Sequence, residues 1–417
     1  MYYYREGDRL YASFTPLSLP LAPAPSSKQK ENFTFLFFRE PLSCRTSFKV
    51  AEAAQLIAEE DISWLDLSRL PPASLPDGPV GEAIRSGMLG AVNAGHPRWR
   101  EVPSFLAGKK RLNLLALGDV GSTLAIGLRL LGGDVLSSIG LCDIREEVLR
   151  RWEFELGQIA LPFAYDALPP VLEVEPQDLF ACDLFVFCAS CYVPPVGSKV
   201  EDVRMAQYAK NTPLIAAYAR QARKAKFRGL FCVVSDPVDQ LCRTVLLESN
   251  RNESGFLDYA GLFPEQIMGF GLGVMNARAA YFAKQDPRFA SFLQEGRSFG
   301  PHGEDLVIAN SLEYYDDALS RELTQKVVNA NLLMRGWGFK PYIAPALSSG
   351  ALSLLLMLRG EWHYSSTYLG GIFMGAKNRL TPGGPEIESL PLPDKLFERI
   401  QFAAERLLRA RPVRIEN

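Results

Sequence analysis

Histidine is scarce in this chain, with three residues among 417. Charge of one sign is lacking too: 45 basic residues against 47 acidic ones leave a net charge of −2. That balance supplies no basic field for nucleic acid or an anionic membrane surface. There is no long hydrophobic run. The most apolar stretch, Ser348 to Leu358, is too short to span a bilayer and has the length of a buried helix. The opening Met1-Tyr2-Tyr3-Tyr4-Arg5-Glu6 is polar where a secretory segment would build its apolar core. The seven cysteines, at 44, 142, 182, 188, 191, 232 and 242, form no disulfide framework. Cys182, Cys188 and Cys232 lie in strand-like apolar runs, where cysteine behaves as a small hydrophobe. Reduced thiols and a cytoplasmic location are expected. Cys188 and Cys191 have redox spacing, but at a strand end and with no second such pair, so no metal site is expected.

What is present is ordinary for a soluble globular protein: 47% hydrophobic and 22% charged residues. The length allows two or three domains. Residues 1–108 form a separate compositional zone. Pro20 to Lys30 reads as a loop, Phe33 to Phe38 as a strand, Phe48 to Glu60 as a helix, and Pro71 to Gly81 as punctuated loop. His96, in Gly95-His96-Pro97, reads as a loop residue. From Arg111 short apolar runs alternate with helices. Leu112 to Leu117, Val135 to Cys142, Leu184 to Ala189 and Gly229 to Val234 are the runs; Thr123 to Leu131, Glu146 to Ile159 and Ala206 to Lys226 are the helices. Fully apolar runs between helices predict a Rossmann-type, doubly wound parallel sheet covered on both faces, over 109–266. Residues 267–417 mix long helices (Asp305 to Gly336, Leu347 to Leu358, Asp394 to Ala410) with strands near His363 to Met374, an α+β second domain.

Ala116-Leu117-Gly118-Asp119-Val120-Gly121 follows the first run and opens a helix. The dinucleotide fingerprint asks for glycine at the first, third and sixth positions, and Ala116 is a small departure at the first. Gly118 lets backbone approach a pyrophosphate, Gly121 allows close packing of helix on strand, and the helix N-terminus offers unpaired amides. Asp143 closes the second run, where an acid binds the adenosine ribose hydroxyls and would repel a 2′-phosphate. NAD is therefore favoured over NADP, with Arg145 the one feature on the other side. Ala189, closing the next run, is expected to flank the cofactor. Downstream come Arg204 at a helix start, Asp236 after a strand, Arg278, and His302 in Gly300-Pro301-His302-Gly303. A nucleotide site, arginines for a carboxylate and one imidazole for a proton point to hydride chemistry on a small acid.

In this order the segments resemble the lactate/malate dehydrogenase family. The resemblance runs from about Leu112 to Leu408. Val233-Val234-Ser235-Asp236-Pro237-Val238-Asp239 looks like the family's VSNPVD segment, and Gly300-Pro301-His302-Gly303-Glu304 looks like its GEHGD motif. The resemblance implies a C-terminal domain of that family's type and hydride transfer between NAD(H) and a 2-hydroxy or 2-oxo acid. His302 would be the acid/base, Arg278 the carboxylate ligand, and Arg204 the loop arginine that polarises the carbonyl. It also implies a dimer or tetramer, which the N-terminal zone could block or replace.

Two departures stand out. The family's aspartate three residues before the carboxylate-binding arginine pairs with the histidine; here that position is Met275. The asparagine of VSNPVD is Asp236. One expectation is that Asp236 replaces the missing partner of His302; another is that Asn276 turns inward and holds the ring. A third is a protein that binds NAD without turnover, a sensor or binding module. Tyr192 to Val203 carries neither the glutamine nor the arginine by which the family selects substrates, so the acid is unassigned. An NAD-dependent glycosidase shares the architecture but needs cysteine and histidine metal ligands, and none stands beside Asp236 or His302 in the sequence.

Overall fold

The structure, a computed structural model, describes residues 1–24, 33–191 and 203–410. Strands and helices are numbered in chain order. The N-terminal zone supplies β1 (Tyr2–Glu6), β2 (Arg9–Ser13), β3 (Ala22–Pro23), β4 (Phe33–Phe37), β5 (Ser47–Lys49), α1 (Pro79–Arg85) and β6 (Gly90–Asn93). Its strands form one mixed sheet in the order β3-β1-β2-β4-β6-β5. The helix read over Phe48 to Glu60 is not there. Phe48 pairs in β5 against Ala91, and only Ala53–Leu56 makes a single 3-10 turn. Tertiary burial overrides local propensity here. Glu60 is drawn inside to meet Arg45 at 3.0 Å, with both side chains 2% exposed or less, and Arg45 lies against the Phe48 and Trp64 rings.

The body begins with β7 (Lys110–Leu115), α2 (Asp119–Leu131), β8 (Leu136–Cys142), α3 (Glu146–Gly157), β9 (Val171–Glu173), β10 (Leu184–Phe187), α4 (Val203–Lys224), β11 (Leu230–Val233), α5 (Val238–Ser249) and β12 (Ile267–Gly269). Strands β9-β8-β7-β10-β11-β12 are neighbours and all run parallel. Phe185, Val186, Phe231 and Cys232 are fully buried, as a sheet covered on both faces requires. This is the doubly wound α/β arrangement expected.

There follow α6 (Leu272–Ala283), α7 (Phe292–Glu295), β13 (Arg297–Phe299), β14 (Val307–Ala309), α8 (Asp317–Gly336), a π-helical stretch (Pro345–Leu352) running into α9 (Ser353–Leu358), β15 (His363–Leu369), β16 (Ile372–Thr381), β17 (Gly384–Ile387) and α10 (Asp394–Arg409). The long helix read from Asp305 starts only at Asp317. Residues 307–309 pair with β13, and the Asp316 carboxylate caps α8 by accepting the Leu319 N–H. Strands β15, β16 and β17 extend the parallel sheet beyond β12 in antiparallel fashion, giving nine strands.

The N-terminal sheet has a small apolar cluster of its own around Tyr4, Tyr11, Leu36 and Trp99 and shares its larger core with the C-terminal part. Leu10, Phe35, Phe48 and Trp64 share one apolar cluster with Phe299, Met374, Leu396 and Ile400. Leu390 exchanges backbone hydrogen bonds with Leu65 and Leu67, and the buried Glu265 carboxylate accepts from Thr46 N–H at 3.0 Å and Ser47 Oγ at 2.9 Å. Among the described residues no helix is long and apolar enough to cross a membrane.

Candidate active site

The C-terminal ends of β7, β8, β10, β11 and β12 lie side by side, where an open parallel sheet presents its ligand crevice. Ala116, Asp143, Cys188 to Cys191, Val234 to Asp236 and Phe270 to Gly271 emerge there in turn. Asn211, wholly buried on α4, ties two of these ends together. Its Oδ1 accepts the Cys191 N–H at 2.8 Å, and its Nδ2 donates to the Asp236 carbonyl at 2.9 Å. Ala189 lies half-buried in the same run. The Asp236-Pro237 peptide is cis. The Ser235 hydroxyl, just past the end of β11, is buried without a hydrogen-bond partner among the described residues.

At the first of these ends, Gly118 caps α2 and Asp119 and Val120 begin it. A side chain on Gly121 would meet the Ala116 carbonyl oxygen at 2.0 Å, so glycine is what lets the helix close on the strand. A Cβ on Gly118 would meet nothing within 4 Å: the space before the helix N-terminus is open. Ala116 takes φ 76°, left-handed backbone that alanine adopts only under strain. Lys340 reaches across to Asp119 at 3.0 Å. The Asp143 carboxylate is already engaged: Oδ2 accepts the Leu117 N–H at 2.7 Å, and Oδ1 accepts the Arg145 N–H at 3.0 Å and its Nε at 3.2 Å. Burial pushes this carboxyl up, but the hydrogen bonds from Leu117 and Arg145 prevail and hold it below the usual range. Arg145 thus serves Asp143 as an ion partner.

At the other end, His302 is half-buried between Gly300 (φ 86°) and Gly303 (φ 131°). Gly300 anchors the loop on β16 through its N–H to the Gly375 carbonyl at 2.9 Å. The His302 Nδ1 donates to the Gly271 carbonyl at 2.8 Å. This corrects the expectation that Asp236 or Asn276 holds that nitrogen. Asn276 Oδ1 instead accepts from Ser298 Oγ at 3.2 Å. Asp236 is exposed and acts on Arg278: burial pulls the Arg278 guanidinium down from its ordinary value, and the Asp236 carboxylate opposes this. Arg278 is further placed by Asn331 on α8, which accepts from Nη2, and by Met275, whose sulfur lies 3.5 Å from Nη1.

The Asp236 charge is thus felt at Arg278, and His302 meets the residue that opens the Arg278 helix. Arg204 lies in the first turn of α4, and its side chain is outside what is described. Residues 192–202, where substrate selection was sought, are also outside the described residues. Sequence reasoning missed Gly271, Asn331 and Ser349. The glycines of Gly269-Phe270-Gly271-Leu272-Gly273 and the serines within an apolar run were the available signals.

The other two histidines are packing residues. His96 is 2% exposed against Phe263 and Tyr259, and its Nδ1 accepts the Arg98 N–H. Burial first and Arg98 second lower it to about 4. His363, 3% exposed, contacts the Glu361 carbonyl and Ser365 Oγ, and burial likewise lowers it to about 4. All seven cysteines are unpaired thiols, and burial pushes Cys188 up to about 12. Among the described residues no group of histidine, cysteine or acid is arranged to hold a metal ion.

No family model matches the chain. Individual proteins do. The chain is 26% identical over 198 residues to a malate dehydrogenase of Sulfurimonas denitrificans, covering 48% of this chain and 56% of that protein. It is 23% identical over 320 residues to a malate dehydrogenase of Aliarcobacter butzleri, covering 70% of this chain and 93% of that one. An L-lactate dehydrogenase 2 of Staphylococcus aureus is 25% identical over 197 residues, 47% of this chain and 55% of that protein. The chain thus spans little more than half the length of two of these three relatives. Among solved structures, a malate dehydrogenase of Archaeoglobus fulgidus in complex with NADH superposes with a TM-score of 0.57 at 19% identity, over 71% of this chain and 97% of that one. A lactate dehydrogenase from a deep-sea metagenome gives 0.57 at 17%, over 72% and 97%. By these matches the chain is similar in sequence to malate and lactate dehydrogenases and shares their fold.

Proposed function

We propose that the protein is an NAD-dependent oxidoreductase interconverting a 2-hydroxy acid and its 2-oxo acid. The observation that carries this reading is the fixed His302 ring: a carbonyl can only accept, so Nδ1 holds the proton and Nε2 presents its lone pair when the ring is neutral. That is the form a general base needs. Arg278, oriented by Asn331, is the carboxylate ligand, and Arg204 is assigned to the substrate carbonyl.

The residues present fit a dinucleotide. The open space before α2, the close approach at Gly121 and the unused Ser235 hydroxyl are what such a group requires. Gly118, Asp119, Val120 and Gly121 would hold its phosphates, Asp143 its ribose, and Ala116 and Ala189 its flanks. NAD supplies the hydride acceptor when bound. With Asp143 lowered and partnered by Arg145, a 2′-phosphate finds no unpaired cation there, and NADP is disfavoured. On reduction of the oxo acid, His302 gives its Nε2 proton to the forming alkoxide and Arg278 keeps the carboxylate oriented. On oxidation His302 takes the proton back.

A second reading, binding of NAD without turnover, is favoured by one observation: buried Met275 faces Arg278 where the family's aspartate stands. Tryptophan quenching by NADH, followed by NADH oxidation with a panel of 2-oxo acids, separates the two. Binding with turnover supports the first reading and binding without turnover the second. Absence of binding removes both.

A further inference from the structure

The loss of the histidine-pairing aspartate leaves the imidazole in need of another constraint, and the start of α6 supplies one. Gly271 is the N-cap residue of that helix. Its carbonyl oxygen receives two side-chain donors: His302 Nδ1 at 2.8 Å and Ser349 Oγ at 2.7 Å. The same Ser349 hydroxyl accepts the Val274 N–H at 2.8 Å. Ser349 is 2% exposed and belongs to the π-helical stretch, not to α6. It caps the helix from outside, satisfying an amide that the helix itself leaves unpaired. In doing so it grips the 271–274 backbone at both a donor and an acceptor.

Two close approaches fix this arrangement. A Cβ on Gly271 would fall 2.8 Å from His302 Cβ and 3.0 Å from Val238 Cγ2, so ring and backbone are as near as glycine permits. A Cβ on Gly273 would fall 2.6 Å from both the Ser348 carbonyl oxygen and Ser353 Oγ, so the helix start is seated on the π-helical stretch. π-helical turns are rare and are found frequently at functional sites. Here the stretch presents Ser349 to α6 while Leu354 and Leu355, just beyond it, stay in the core.

The geometry points to Ser349 as a positioning residue for His302, acting through the shared Gly271 carbonyl. This inference rests on the reading of His302 as the acid/base. As N-cap, Gly271 also turns its carbonyl toward the first intrahelical amide, and Ser349 and His302 are the two side-chain donors added to it. With Ser349 in place the 271–272 peptide plane is held from outside the helix as well as from within, and the carbonyl keeps its aim at Nδ1. Without it the plane is held by the helix alone, and the bond that selects the ring tautomer weakens. A neutral carbonyl thereby takes over the orienting part of the aspartate's task, without adding a negative charge beside the ring.

The test is long-range proton–nitrogen correlation NMR on the full chain labelled with 15N-histidine. Three histidines make assignment tractable, and the two buried ones serve as internal fold reporters. In the wild type His302 is expected in the Nδ1-protonated form. His96, whose Nδ1 accepts from Arg98, is expected protonated on Nε2. In Ser349→Ala the His302 signal is expected to become a mixture of tautomers while His96 and His363 stay unchanged. The kcat for a 2-oxo acid should fall about tenfold with KM nearly constant, the scale of one lost neutral hydrogen bond. Ser349→Thr keeps a hydroxyl and should restore both readouts. An Nε2-protonated His302 in the wild type overturns the proposal, and so does an alanine variant whose His302 tautomer is unaltered. Should Ser349→Ala disturb the two reporter histidines, Ser349→Cys, of similar volume and much weaker hydrogen bonding, gives the same reading. If no 2-oxo acid is turned over at all, the function reading fails on its own, and the tautomer measurement still decides the role of Ser349.

Discussion

The two ends of the strand-edge crevice have absorbed their departures from the family pattern in different ways. At the cofactor end a single methyl group has changed, glycine to Ala116, and the backbone keeps its left-handed turn at φ 76° and tolerates the strain. The Gly121 contact and the Asp143 hydrogen bonds around that turn are intact. At the substrate end a charge has moved. Met275 lies against Arg278, the Asp236 charge acts on Arg278, and the imidazole Nδ1 donates to a main-chain carbonyl. The backbone at one end holds a left-handed alanine at a local energetic cost. The side-chain network at the other has been rebuilt around new partners. Steric requirements of a phosphate-binding turn leave few alternatives, whereas an imidazole can be oriented by any acceptor at the right place.

The largest effect expected is at the substrate end. His302→Asn should reduce turnover of the preferred 2-oxo acid about a thousandfold, the scale of one acid/base group, with NADH affinity nearly unaltered. Steady-state kinetics beside a fluorescence titration measure both. If affinity and turnover fall together, the two ends are not separable as described.

Next comes Met275→Asp. The resemblance alone expects this change to restore a histidine partner and speed the reaction. The structure expects otherwise. Met275 lies against Arg278, and His302 Nδ1 is already bound to Gly271. The new carboxylate should take Arg278 and raise KM about tenfold through competition with the substrate carboxylate, a loss on the order of 1.4 kcal/mol. A rise in kcat with constant KM would show that the ring prefers the old arrangement.

At the cofactor end Ala116→Gly should relieve the left-handed strain and stabilise the fold by about 1 kcal/mol, seen as a higher midpoint in urea. Because the turn already has its shape, NADH affinity should move by less than about threefold. A large gain in affinity would mean that the cofactor end, too, is altered in shape.

The smallest effect concerns Glu265, where the sheet meets the N-terminal layer. Burial raises Glu265 to about 7, against the hydrogen bonds from Ser47 and Thr46. A carboxyl raised in the folded state contributes stability fully present below its unfolded value near 4.5 and lost as pH rises through about 7. Glu265→Gln should therefore flatten the decline between those pH values and leave turnover unaltered. His96 and His363, lowered to about 4, act in the opposite sense. Their contribution is present above about 6.5 and is lost as pH falls through about 4. Thermal melts from pH 4 to 8 resolve the two slopes.

Much of the parallel sheet could be read from Leu112 to Val234, because fully apolar runs between amphipathic helices admit few other arrangements. The tight turn from Ala116 to Gly121 was legible for the same reason: glycine spacing encodes backbone geometry directly. The segment from Phe48 to Glu60 was not. Its apolar spacing suits a helix, but Phe48 is claimed by β5 and Glu60 by Arg45, contacts that no local window contains. The stretch from Asp305 to Asp316 failed likewise, since residues 307–309 are extended only through pairing with β13. In the site, the order of Arg278 and His302 was visible and the absence of an aspartate at 275 was visible. What holds the ring was not, because the acceptor is a backbone carbonyl and its support comes from Ser349, some seventy-eight residues away.

The account stands or falls on hydride transfer. The direct measurement is reaction of NADH carrying deuterium at the transferable C4 position with a panel of 2-oxo acids, following both the rate and the label. The account predicts oxidation of NADH, a slower rate for the deuterated form, and deuterium on C2 of the 2-hydroxy acid formed. NADH that binds but transfers deuterium to none of the acids would contradict it and leave the crevice a binding site alone.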